Sequence, residues 1–61
     1  MNTYLTETRS QYEIVYSRMG LDIFVAEVTL EGIVEMEFMA DSMMGARLQV
    51  AEYFENFIYN Q

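Results

Sequence analysis

The sequence predicts an α+β domain in the order β-β-β-α, a three-stranded antiparallel meander followed by one C-terminal amphipathic helix packed on one sheet face. Three observations predict it: apolar and polar residues alternate from Gln11 onward, two short segments end in glycine, and the last third carries an apolar stripe at helical spacing. Residues 1–10 mix Thr, Asn, Glu and Tyr without a clear period and read as a flexible N-terminal segment, leaving residues 11–61 as the single domain.

In the first strand, 11–17, Tyr12, Ile14 and Tyr16 share one side while Glu13, Val15 and Ser17 share the other. Two further β-rich runs cover 21–29 and 33–39. Between the strands lie Arg18-Met19-Gly20 and Leu30-Glu31-Gly32, which read as three-residue hairpin loops with a left-handed glycine at the end. In that register Ile14 lies opposite Phe24, Tyr12 opposite Ala26, Phe24 opposite Phe38, Ala26 opposite Met36 and Val28 opposite Val34, giving one nearly all-apolar face. Two-residue loops would turn Phe24 and Val28 onto the side of Glu35 and Glu37, because a one-residue slip inverts every side chain.

The helix is expected over 41–60, opened by the capping pair Asp41-Ser42. Met43, Val50, Phe54, Phe57 and Ile58, with Ala46 and Ala51, form its core stripe. Leu48 and Tyr59, with Met44 and Glu55 between them, form a second narrow strip that suits a partner subunit. Arg47 falls near the middle of the core stripe, so its stem is expected to snorkel out at the edge of the sheet, the alternative being a carboxylate partner across an interface. Of the methionines, Met36 and Met43 fit core positions, and Met19, Met39 and Met44 are expected at the surface as adaptable contacts.

A 61-residue chain hides only about 60% of its unfolded surface, so its stability as a monomer is marginal. Without Cys or His it has neither disulfide nor zinc site to staple it, which makes homo-oligomerisation the expected remedy. A hydrophobic fraction of 52% is too high for a disordered acidic tail. Ten acidic residues against three arginines give a net charge of -7, and residues 21–61 carry all of it, because Glu7 and Glu13 cancel Arg9 and Arg18. Such a body repels phosphate backbones and anionic membranes, so neither direct nucleic-acid binding nor membrane binding is expected. The chain shows no membrane-length apolar run and no signal-peptide pattern, and a cytoplasmic location is the expectation.

Three strands followed by a helix are similar in order to part of the double-stranded RNA-binding domains. Their basic helix start is replaced here by Asp41-Ser42-Met43-Met44, and the likeness is one of topology without function.

Lacking His, Cys and Lys, the chain has no common general base or tunable nucleophile, and it is not expected to be an enzyme. No phosphate-loop or calcium-loop spacing occurs, so no cofactor and no metal are expected. Carboxylate pairs can hydrolyse glycosides, but a small sheet with one helix offers little cleft for a sugar.

The informative constellation is the sheet face turned away from the helix. It carries Glu13, Val15, Ile23, Val25, Glu27, Glu35, Glu37 and Met39, an apolar centre with a carboxylate rim, and these eight are the expected partner-binding residues. In the expected register Glu27 faces Glu35, a like-charge pair, with Gln11 on its other side and Arg9 near enough diagonally to relieve it. Two carboxylates on a flat sheet make a poor calcium site. Alternate glutamates are also the ordinary way to solvate an open sheet face, but solubility does not call for the aliphatic residues beside them. The expected function is that of a small acidic interaction module docking on a basic surface of a partner protein, as an inhibitor or nucleic-acid mimic of the kind used by viruses and mobile elements. The alternative is a homo-oligomeric structural protein with no separate partner.

Overall fold

A computed structural model describes residues 2–59. Four strands, β1 (Asn2–Arg9), β2 (Tyr12–Gly20), β3 (Ile23–Leu30) and β4 (Ile33–Ala40), form one antiparallel sheet in the order β1-β2-β3-β4. Helix α1 (Met43–Tyr53) follows and continues into a π-helical turn (Phe54–Ile58). The α+β class, the antiparallel sheet and the packed C-terminal helix are as expected. The number of strands is not.

The additional strand is β1, formed by the segment expected to be a flexible end. Its Thr and Tyr residues favour extended backbone, yet its pattern is hidden because the positions facing the helix are Leu5, Glu7 and Arg9, paired with Tyr16, Ile14 and Tyr12. Two inward charges are a common guard on an edge strand, and they erase the apolar alternation that would reveal it.

The faces of β2, of β3 and of β4 beyond Glu35 fall as the sequence predicts, but the partners do not. Ile14 pairs with Val28 rather than Phe24, and Phe24 with Ala40 rather than Phe38. Both inner hairpins use two-residue turns, Leu21-Asp22 and Glu31-Gly32, each combined with a bulge in the adjoining strand. Met19 is the extra residue between the pairs Arg18↔Phe24 and Gly20↔Ile23, and Glu35 the extra one between Val28↔Met36 and Thr29↔Val34. A bulge restores the parity that a two-residue turn would invert, so most inward residues stay inward while the strands slide. Val34, expected inside opposite Val28, is carried by the bulge to the open face opposite Thr29. Glu31 and Gly32 have φ of 53° and 82°, and only this second glycine takes the left-handed geometry that makes it a turn device. Gly20 instead closes β2.

The Ser42 hydroxyl caps α1, accepting a hydrogen bond from the Gly45 amide at 3.0 Å. Ala46, Val50 and Phe54 then reach down onto Ile14, Tyr16, Ala26 and Val28, all fully buried. The Tyr12 ring meets Phe54 edge-on at 5.3 Å between centroids, a favourable quadrupole arrangement. Beyond Phe54 the helix widens, and the Tyr59 amide bonds to the Phe54 carbonyl five residues back at 2.7 Å. That widening changes the phase of the stripe. Ile58 still packs against the core, whereas Phe57, expected inside, is 61% exposed. Met36, also expected inside, is on the helix side of edge strand β4 and remains exposed.

Candidate functional site

The sheet face opposite the helix is built from three rows of side chains. Glu13, Thr29 and Val34 form the first, Val15, Glu27 and Glu37 the second, and Ser17, Val25 and Met39 the third. The like-charge pair is therefore real but its partner is Glu37. Glu35, expected opposite Glu27, sits at the bulge, where it is exposed and has no residue across from it. Val15 rather than Gln11 flanks Glu27 on its other side. Arg9 does not relieve the pair, because it lies on the helix side of β1.

Of the eight expected residues, Glu13, Ile23, Glu35, Glu37 and Met39 are exposed, and Val15 and Glu27 are half-buried. Val25 is the exception at 3% exposure, closed in between Ser17 and Met39 in the middle of the sheet, so it forms the floor of the surface rather than a contact. Exposed Val34 extends the apolar area toward the β3–β4 turn, whereas Ile33, opposite Leu30, lies on the helix side.

The positive charges lie elsewhere. Arg47 Nη2 donates to Glu7 Oε2 at 3.3 Å and Arg9 Nε lies 3.7 Å from Glu7 Oε1, on the helix side of the sheet. The buried Tyr16 hydroxyl donates to Glu7 Oε1 at 3.0 Å. Burial, the hydrogen bond to this carboxylate and its charge together push the Tyr16 phenol up to about 12. Arg18 donates to the Gly20 and Leu21 carbonyls, both at 3.0 Å, and lies 5.6 Å from the Phe24 ring centre. Thus none of the three arginines faces Glu27 and Glu37.

Sequence reasoning missed the Glu7 cluster because it missed β1. The one pointer was Arg47 in the apolar stripe: its head is exposed, as expected of a snorkelling side chain, but it closes an ion pair within its own chain. Two open grooves flank α1. Toward β1, one of about 500 Å³ is lined by Met44, Leu48 and Ala51 with Arg9 and Arg47. Toward β4, one of about 310 Å³ is lined by Met36, Phe38, Tyr53 and Phe57 with Gln49 and Glu52.

Among the described residues no three carboxylates are grouped to hold a metal ion, and no helix is long and apolar enough to cross a membrane. No family profile matches the chain, and no curated protein or solved structure is significantly similar to it.

Proposed function

We propose that this protein is a small acidic interaction module whose open sheet face docks on a basic surface of a partner protein. The observation that carries this reading is the Glu27↔Glu37 pair. Two carboxylates directly opposite each other repel, and the free protein brings no arginine to them. A lysine or arginine on a partner would relieve that repulsion, so binding would gain what folding loses.

The surroundings support the same reading. Met39, Ile23 and Val34 provide exposed apolar area beside the carboxylates, and Glu13 and Glu35 stand at the margin. Complementary charge of this kind speeds association and makes it sensitive to salt. A nucleic-acid-binding surface is one such target, where the glutamates would stand in the place of phosphates and act as an inhibitor.

Affinity capture with the wild type and the Glu27→Lys/Glu37→Lys variant tests the proposal, with circular dichroism verifying that the variant folds. The wild type should retain a partner at low salt and release it as ionic strength rises, and the variant should retain none of it. Identical captured proteins with both chains would sink the reading.

A further inference from the structure

Both edges of the sheet are open, and the two are unlike. Among the described residues β1 and β4 each have a neighbouring strand on one side only. Beyond the irregularity at Tyr4, β1 runs regularly over residues 5–9, and beyond the bulge at Glu35, β4 runs regularly over residues 36–40. An unpaired regular edge is a template for another strand. The β1 side carries Arg9 and Arg47 above an apolar groove in which Met44 and Leu48 are exposed, and the β4 side carries Glu52 above a groove lined by Met36, Phe38 and Phe57.

We infer that copies of this chain associate head to tail, β4 of one against β1 of the next, extending the sheet with all helices on the same side. Strand direction permits it: four antiparallel strands end with β4 opposite in direction to β1, so a translated copy presents an antiparallel partner. The row of Met36, Phe38 and Ala40 then continues into Leu5, Glu7 and Arg9 of the next copy, which lie on the same face.

Charge selects this pairing over the two-fold alternatives. Joining β4 to β4 would set Glu52 near its own copy and β1 to β1 would do so with Arg9 and Arg47, which share the single carboxylate of Glu7 and keep one net positive charge, whereas β4 to β1 brings Glu52 toward that net positive group and closes the two apolar grooves on each other. The net charge of -7 opposes assembly at long range, but at about 0.15 M salt that repulsion is screened beyond roughly 8 Å, leaving the close pairs at the junction. A head-to-tail junction does not stop at two copies unless its rotation closes a ring. β4 carries Glu37 and Met39 of the open face to the margin of the junction, but the pairing is argued from strand edges and helix-side charges, so this inference does not depend on the proposed function.

Sedimentation velocity over a range of protein concentration at that salt tests it. Mass should rise past the dimer. Glu52→Arg and Arg47→Glu should each weaken association by about tenfold or more, and an equimolar mixture of the two should regrow, since each junction then joins opposite charges. Arg47→Glu places a carboxylate beside Glu7, so circular dichroism accompanies it. Should it not fold, Glu52→Arg, at a residue with no ion pair among the described residues, carries the test together with concentration-dependent hydrogen-exchange protection of the β1 and β4 amides. A monomer at every concentration overturns the inference. A dimer that stops at two copies and ignores the charge swap overturns it too, and places a two-fold contact there instead.

Discussion

Glutamate occupies both sides of this sheet under opposite conditions. On the helix side, Glu7 accepts from the Tyr16 hydroxyl and lies within 4 Å of two guanidinium groups, so its charge is surrounded by compensation. On the open side, Glu27 and Glu37 have each other as cross-strand neighbours and no arginine. A chain with only three cations places two of them on one carboxylate and leaves the other side bare. The helix side is thus optimised for folding, and the open side keeps a repulsion that folding alone gives no reason to keep. A stability measurement can separate the two sides, because substitutions on them should act in opposite directions.

The largest contrast is in packing. Phe54 is fully buried against Tyr12 and the arginine head of Arg9, so Phe54→Ala should cost about 3–5 kcal/mol, enough to unfold much of a 61-residue domain. Met39, exposed on the open face, should tolerate alanine within about 0.5 kcal/mol. Urea unfolding of the two variants checks this, and comparable losses would mean that the open face is part of the folding core.

The second contrast uses the buried phenol. Tyr16→Phe leaves the ring in place but removes a hydrogen bond to a charged acceptor, at a cost of about 2 kcal/mol. The unfolded phenol loses its proton near pH 10.0 and the folded one only near 12. Between those values the unfolded state binds fewer protons, so this contribution, complete below the lower value, falls away as pH rises through the window. Urea midpoints from pH 8 to about 12 should therefore decline more steeply in the wild type than in Tyr16→Phe; parallel curves would show that the phenol is neither buried nor bonded to Glu7 in the folded state.

Particular residues explain what the sequence disclosed. The faces of β2 and β3 and the central part of the helix stripe were legible because Ile14, Tyr16, Ala26, Val28, Val50 and Phe54 obey simple periods. The pairing register was not, since a turn with a bulge and a longer turn without one give the same faces with different partners. The loss of phase after Phe54 was also hidden, because a π-turn leaves no mark in composition. The acidic open face was visible as a set, although its central pair required the true register to identify Glu37.

The smallest predicted effect is also the most diagnostic, because its sign is unusual. Most substitutions destabilise, yet Glu37→Gln should stabilise by about 0.5 kcal/mol, raising Tm by roughly 2–4 °C, since it removes one member of a repelling cross-strand pair. The gain should shrink in about 1 M salt, where screening acts within roughly 3 Å, and should vanish when Glu27 is already glutamine. The same substitution should weaken capture of a basic partner, so that the residue opposes folding while favouring binding. Thermal melts of the single and double variants at two salt concentrations form the required cycle. A destabilised Glu37→Gln would mean that the two carboxylates are already compensated in the free protein, and the open face would then be a solvated surface.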